Sequence, residues 1–159
     1  SHDADERAKR TDYLLREIGL PADSLRRYPS QLSGGQRQRV NIGRAICVAP
    51  KLLVADEIVS GLDVSVQAQI LNLLLRLREE LDISLLLISH DLSVVRYICS
   101  RVFVMHNGVV VESGPTEQIF ADPQHAYTRA LLAAVPPDDA DLPWPPKLSE
   151  SEAGELRAT

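Results

Sequence analysis

Apolar residues between positions 64 and 81 recur every three or four residues, with glutamine, arginine and glutamate on the opposite side. This spacing is typical of an amphipathic helix that lies on a core. The same type of pattern predicts helices over 5–18, with Gly19 as a stop signal, over 36–48 and over 92–99. We therefore expect helices to occupy much of the chain before position 100.

Two predominantly apolar runs predict strands instead. Residues 52–55 precede the acidic pair Asp56 and Glu57, and residues 83–88, which are apolar except for Ser84, precede a serine and His90. A short apolar run without alternation is typical of a strand buried on both faces of a parallel sheet. The carboxyl ends of such strands lie at the edge where open α/β sheets bind ligands. We expect the two acids and the histidine to lie at that edge.

An Asn-Gly pair predicts a β-hairpin later in the chain. Asn107-Gly108 separates the apolar runs 101–105 and 109–112, and an Asn-Gly pair in this setting is a strong signal for a two-residue turn. His106, beside the turn, is interpreted as a surface residue. Alternating helices and strands with this hairpin predict an α/β fold.

Composition narrows the class of protein. The chain has 159 residues, 45% of them hydrophobic, which suffices for one domain with a core. Its formal charge of −5 argues against nonspecific binding to nucleic acid, because such binding needs an excess of lysine and arginine. Cys47 and Cys99 stand far apart in apolar contexts, and we expect both to be buried free thiols.

The segment Leu-Ser-Gly-Gly-Gln at 32–36 carries the clearest chemical signal. Ser33 is a good N-cap, and Gly34 and Gly35 have no side chain to keep an anion from the N–H groups of the first helical turn. Considered alone, such a segment is much more often an ordinary capped helix than a phosphate site. The acids after the first strand favour the interpretation as a phosphate site, because one acid can hold hydrated magnesium while the other takes a proton from water.

Four segments together resemble the C-terminal half of an ABC-type ATPase domain. Residues 33–36 match the signature loop of that family, 52–57 its Walker B strand, 60–63 its D-loop, and His90 its switch histidine. The resemblance covers about residues 5–135. It implies a partial P-loop NTPase fold, α/β, with a parallel-sheet core, flanking helices and a C-terminal β-hairpin.

The resemblance also implies a domain organisation and a branch of the family. Residues 1–32 would end the helical subdomain, 33–135 would form the C-terminal half of the ATPase domain, and 136–159 would be a proline-rich, acidic, disordered tail. Residues 114–120 and 125–132 look like the C-terminal extension of the oligopeptide and dipeptide importer branch. That branch usually has proline after the histidine of the second segment, where this chain has Ala126. His125 has no second ligand at a suitable spacing, which argues against a metal site there.

Site residues follow from the resemblance, residue by residue. Asp56 would hold Mg²⁺ through water, Glu57 would deprotonate the attacking water, and His90 would contact the γ-phosphate. The implied nucleotide-binding residues are Ser33, Gly34, Gly35, Gln36 and Asp63. The ligands would be ATP and Mg²⁺, with the signature loop acting on ATP held by the opposite subunit.

The implied partners are a second ABC ATPase subunit, in a head-to-tail dimer, and integral membrane permease subunits, with no nucleic acid. The implied location is peripheral, at the cytoplasmic face of the plasma membrane. Two alternatives to an import ATPase stay open. One is a non-catalytic half-domain that lends its signature loop to a partner, and the other is a soluble ABC ATPase of repair or translation.

The chain departs from the family pattern in three respects. The Gly-x-x-x-x-Gly-Lys loop is absent, because none of the lysines, Lys9, Lys51 and Lys147, follows a glycine. We therefore expect the isolated chain not to hydrolyse ATP. Ile58-Val59 replaces the usual Pro-Thr, and two β-branched residues favour a longer strand and a less well positioned Glu57. Asn41 and Gly43 replace small helix-favouring residues in the helix after the signature loop. Gly43 inside that helix costs up to about 1 kcal/mol relative to alanine, so it predicts close packing.

Overall fold

The computed structural model describes residues 2–134, which divide into two compact units. The first unit extends to Leu86, and the second begins at Leu87. The boundaries expected at 32/33 and 135/136 stay predictions, and the expected disordered tail lies outside the described residues.

The first unit is a set of helices with one strand and most of a second. Its elements are α1 (His2–Glu17), α2 (Gly34–Ile46), β1 (Leu52–Asp56), α3 (Val64–Glu80) and β2 (Ser84–Ile88), with 3₁₀ turns at Ala22–Arg26 and Pro29–Gln31. The unit boundary falls within β2. Strands β1 and β2 pair in parallel with α3 as their connection, so the predicted α/β architecture is confirmed.

Helix α1 ends where the sequence predicts. Gly19 has φ +63°, and the N–H groups of Gly19 and Leu20 donate to the carbonyls of Arg16 and Leu15 at 3.1 and 2.9 Å. These two bonds form a Schellman motif, whose left-handed position suits glycine.

The predicted apolar stripe of α3 forms the centre of this unit. Its fully buried residues include Ile70, Leu74 and Leu77, and Leu71 widens the buried face beyond the predicted stripe. Ile42 and Ile46 of α2 are buried as well, and α2 packs against α3. Burial of several large aliphatic side chains is the main stabilising term of such a core.

The expectation that β1 is buried on both faces is wrong. Leu53 and Ala55 are buried, whereas Leu52 and Val54 are each 53% exposed. Side chains alternate between the two faces of a strand, and the residues described cover only one of those faces. In β2, Leu86 is likewise exposed.

The second unit contains the predicted hairpin. Its elements are α4 (Leu92–Ile98), β3 (Arg101–His106), β4 (Val109–Pro115), α5 (Thr116–Ala121) and α6 (Ala126–Ala133). Strands β3 and β4 are antiparallel, with Asn107 at φ +50° and Gly108 at φ +78° in the turn. Two successive positive φ values are typical of a type I′ turn, which confirms the interpretation of the Asn-Gly pair.

The thiols differ from expectation in part. Both cysteines are free, but Cys47 is exposed and Cys99 only half-buried. Cys47 is the C-cap of α2 and lies outside the buried stripe that ends at Ile46, so the prediction of burial is wrong for it. Partial burial raises the pKa of the Cys99 thiol.

Within residues 2–134, none of the helices combines the length and apolar character that a bilayer span requires.

Candidate functional site

The N-terminus of α2 is closed by a capping box. Ser33 has an extended backbone, and its Oγ accepts a hydrogen bond from the Gln36 N–H at 3.2 Å. In return, the Gln36 side-chain oxygen accepts from the Ser33 N–H at 3.0 Å. The predicted N-cap is therefore confirmed, and the two polar side chains of the loop hold each other in place. The N–H groups of Gly34 and Gly35 belong to the first helical turn, where no intrahelical acceptor exists.

Close packing explains why glycine follows Ser33. A Cβ atom on Gly35 would lie 2.5 Å from Cγ1 of Val66, and one on Gly34 would lie 2.9 Å from Cδ2 of Leu62. Both distances are well below ordinary van der Waals contact. The sequence predicts only that these glycines leave space for an anion, whereas in the structure they let α2 approach the segment that begins α3.

The acidic pair lies where β1 gives way to a turn. Asp56 is the exposed last residue of β1, and Glu57 is half-buried at φ +48°. The Ser60 N–H donates to the Glu57 carbonyl at 3.0 Å, which closes the turn. A left-handed backbone at a residue other than glycine is a strained position of the kind found at functional sites.

The expected prolongation of β1 through Ile58 and Val59 is wrong, because the strand ends at Asp56. Val59 is buried with 4% of its surface exposed, and the Leu62 N–H donates to its carbonyl at 3.3 Å. Burial of Val59 in a turn therefore prevails over the β-propensity of two branched residues.

Asp63 is the N-cap of α3. Its carboxylate accepts from the Val66 N–H at 3.0 Å and from the Ser65 hydroxyl at 2.7 Å. These bonds, the Val66 bond first, lower the pKa of Asp63 below its ordinary value. The same segment thus supplies the cap of α3 and, through Leu62 and Val66, the surface against which the two glycines pack.

The structure distributes the predicted site residues between the two units. The loop 33–36, the acidic pair and Asp63 belong to the first unit, where the loop contacts 62–66 directly. His90 is exposed and belongs to the second unit, one residue before Asp91, which caps α4 by accepting from the N–H groups of Ser93 and Val94 at 2.9 and 3.3 Å.

The donor set near β1 fits one mode of metal binding. Across the part of the chain that the structure describes, no three side chains of histidine, cysteine, aspartate or glutamate gather into a metal cluster. Magnesium that is bound with a nucleotide needs one or two carboxylates, because water and phosphate oxygens complete its octahedron. The exposed carboxylate of Asp56, at the end of a strand, suits that mode.

A carboxylate in the second unit holds the start of α6. Glu112 accepts from the N–H groups of Gln124 and His125 at 2.7 and 3.1 Å, and the Thr128 hydroxyl together with these N–H groups lowers the pKa of Glu112. His125 is the N-cap of α6, since its Nδ1 accepts from the Tyr127 N–H at 3.1 Å. Sequence reasoning missed Glu112 because its partners are distant along the chain.

His106 lies at the exposed end of β3, as expected for a residue beside the turn. Its ring stacks on Tyr127 of α6 at 4.0 Å between centroids. The stack adds a second contact between the hairpin and α6, besides the carboxylate of Glu112.

Solved structures identify the class of protein. The fold matches a dimeric post-hydrolysis state of an ATP-binding cassette bound to ADP and Pi, with a TM-score of 0.61 and 33% identity over 70% of this chain and 48% of the other. It also matches CbiO1 of Clostridium perfringens, part of an ABC transporter complex, with a TM-score of 0.67 and 33% identity over 86% of this chain and 53% of the other. The fold is that of part of an ABC ATPase domain, a P-loop NTPase.

Relatives in sequence narrow the class. The family model described as ABC transporter matches residues 2–60, and the one described as oligopeptide/dipeptide transporter, C-terminal region, matches 111–158. The oligopeptide transport ATP-binding protein AmiF of Streptococcus pneumoniae is 51% identical over 88% of this chain and 46% of its own length. OppF of Lactococcus lactis, also an oligopeptide transport ATP-binding protein, is 52% identical over 86% of this chain and 43% of its own length.

The chain is similar to ABC transporter ATP-binding proteins of the oligopeptide/dipeptide branch over the two segments that the family models match. It spans less than half the length of the curated relatives named above, and the part that it matches is their C-terminal portion.

Proposed function

We propose that this chain is the C-terminal part of an ATP-hydrolysing subunit that powers import of oligopeptides or a related solute. The observation that carries the proposal is the capped N-terminus of α2, where glycines hold the loop 33–36 against the start of α3. Relatives named for oligopeptide transport support the choice of solute class.

The loop suits the γ-phosphate of an ATP molecule bound by an opposite subunit. A helix N-terminus offers N–H donors and a favourable dipole to an anion. Because Ser33 Oγ accepts from Gln36 within the capping box, its hydroxyl hydrogen is available for a phosphate oxygen. Gly34 and Gly35 would supply N–H donors, and Gln36 would keep the loop closed.

The acidic pair divides the remaining work in the proposed reaction. Asp56 would hold Mg²⁺ through water, and bound Mg²⁺ neutralises charge that develops on the phosphates. Glu57 would orient the attacking water and take its proton, while His90 would contact the γ-phosphate. Asp63 would link the two nucleotide sites of the dimer. Phosphoryl transfer depends mainly on the positioning of the reacting groups and on stabilisation of their charge, so small displacements of these side chains should lower the rate.

The proposed assembly follows from these roles. A loop that serves ATP on another subunit requires a head-to-tail dimer, and import requires integral membrane permease subunits. The subunit would therefore lie peripherally at the cytoplasmic face of the membrane. The isolated 159-residue chain, which has no Gly-x-x-x-x-Gly-Lys loop, would not hydrolyse ATP alone.

The test replaces Glu57 in the protein encoded by the full reading frame that contains this sequence. Glu57→Gln should lower ATP turnover by about 10²-fold or more, because general-base catalysis usually contributes a rate factor of that size. ATP should stay trapped in a closed dimer of the variant. Glu79→Gln is the control, because it removes an exposed acid from the surface of α3. Undiminished turnover by the Glu57 variant would exclude Glu57 as the base.

Two further measurements distinguish the alternatives. A wild-type protein that binds a partner's ATP but never hydrolyses its own would favour the non-catalytic half-domain. Failure to co-purify with an integral membrane protein would favour a soluble ABC ATPase. Micromolar ATP binding with steady hydrolysis by residues 1–159 alone would contradict the expected incompetence of the isolated chain.

A further inference from the structure

One face of α2 is buried along its whole length. Its buried residues are Gly35, Arg39, Ile42, Gly43 and Ile46. Arg39 is the exception in this apolar and glycine-rich face, with only 8% of its surface exposed. Arginine is rarely buried without partners, because its charge must be compensated by hydrogen bonds.

Arg39 makes two hydrogen bonds that reach two other helices. Its Nη1 donates to the Ile18 carbonyl at 2.8 Å, and its Nη2 donates to the side-chain oxygen of Gln69 at 3.2 Å. Ile18 follows the last residue of α1, where carbonyl groups lack intrahelical donors and carry partial negative charge. Arg39 therefore connects α2 to the end of α1 and to the middle of α3.

The space for Arg39 is provided by glycine. A Cβ atom on Gly19 would lie 2.9 Å from Nη1 of Arg39, so the residue that ends α1 also leaves room for the guanidinium group. Gly43, one turn further along α2, meets Ile18 in the same way, since its Cβ would lie 2.9 Å from Cδ1 of Ile18. The close packing predicted for Gly43 is thereby confirmed.

The arrangement couples Arg39 to the loop 33–36. Gly35 and Arg39 are one helical turn apart on α2, and their partners Val66 and Gln69 are one turn apart on α3. Two successive contacts therefore fix the rotation of α2 about its axis and its position along α3. A rotation that displaced Ser33 would have to break both bonds of Arg39.

A second arginine also bonds to the end of α1. Arg76 of α3 donates to the Glu17 carbonyl and forms an ion pair with the Glu17 carboxylate at 3.3 Å. Arg76 has a further ion pair with Glu80 at 2.7 Å and is exposed, so most of its charge is screened. Burial and the charge of Arg76 lower the pKa of Arg39, yet a guanidinium group stays protonated at neutral pH.

We propose that Arg39 is a positioning residue for ATP hydrolysis, which sets the placement of the loop 33–36 by tying α2 to the end of α1 and to α3. The inference rests on the proposed function of that loop. Arg39 itself would not touch the nucleotide, and its effect would pass through the rotation and position of α2.

The test compares Arg39→Met and Arg39→Lys with Arg44→Met in the protein encoded by the full reading frame. Arg44 lies on the exposed side of α2, so its variant removes the same charge from the same helix. Because the loop acts on ATP held by the partner, Arg39→Met should lower kcat about tenfold or more while ATP affinity of the monomer stays within twofold. Arg39→Lys should recover part of kcat, since one bond can re-form, and Arg44→Met should leave kcat unchanged.

Hydrogen exchange in the same proteins gives a measurement that does not depend on activity. The amides of Gln36 and Arg37, which donate to Ser33, should exchange faster in Arg39→Met, with α3 still protected. Uniformly faster exchange in α1, α2 and α3, with ATP affinity and kcat falling together, would overturn the proposal in favour of a general structural role. Unchanged exchange at the loop would also overturn it. If wild type hydrolyses no ATP, the proposed function fails, while exchange still decides whether Arg39 positions the loop.

Discussion

Replacing Gly35 with alanine tests whether close packing of α2 on α3 fixes the position of the loop 33–36. The new methyl group would lie 2.5 Å from Cγ1 of Val66, about 1 Å closer than an ordinary carbon–carbon contact. Val66 cannot easily move aside, because a β-branched side chain in a helix has one strongly preferred χ1 rotamer. The overlap must therefore be relieved by moving α2 away from α3.

The expected net cost follows from two opposing terms. Overpacking of a well-packed contact costs about 1–3 kcal/mol. Alanine in place of glycine within a helix gains up to about 1 kcal/mol, and less in the first turn where Gly35 lies. The overlap outweighs the gain, so Gly35→Ala should lower the free energy of unfolding by about 1–2 kcal/mol. For a chain of this length, each 1 kcal/mol lowers Tm by about 2–4 °C.

The assay is a double-mutant cycle with Val66→Ala, measured by urea and thermal unfolding. Val66→Ala removes the methyl group that the new Cβ of Gly35→Ala would contact. The free energy of unfolding of the double variant should therefore exceed the value predicted from the sum of the two single effects by about 1 kcal/mol or more. Gly35→Ala as stable as wild type, or a cycle with no coupling, would refute the argument that Val66 imposes glycine at this position.

Two further predictions concern the caps of α2 and α6. Ser33→Ala removes the acceptor for the Gln36 N–H, so it should lower the free energy of unfolding, measured with urea, by about 1 kcal/mol. Ser33→Asp should be close to wild type, because aspartate also caps helices. Equal stability of wild type and the alanine variant would contradict this prediction. The pKa of Glu112 is lower in the folded protein than its ordinary value of about 4.3, so the ionised carboxylate stabilises the folded second unit. This contribution is fully present at pH values above the ordinary pKa, and it is lost as the pH falls through the lower pKa of the folded state. Glu112→Gln should therefore lower Tm at pH 7, and its Tm should fall less than that of wild type between pH 5 and pH 3 in thermal melts. Equal dependence of Tm on pH in the two proteins would contradict this prediction.

The sequence alone determined the features that depend on neighbouring residues. Ser33 as the cap of α2, Gly19 as the stop of α1 and the Asn107-Gly108 turn are all correct, because each bond or dihedral involves residues a few positions apart. The apolar stripe of α3 is correct for the same reason, since helical period is a local property. The order and chemistry of the four segments also indicated the family to which the chain is similar.

Only the tertiary structure decided why several of these residues are what they are. Gly35 is glycine because Val66 lies against it, and β1 ends at Asp56 because Val59 is buried in the turn that follows. Arg39 bonds residues 21 and 30 positions away, so no local pattern marks it as the connection among three helices. Such contacts form only when distant segments pack together, and their energies prevail over local propensity at those positions. The cap of the loop 33–36 therefore depends on adjacent residues, while the position of the loop depends on residues that only the fold brings together.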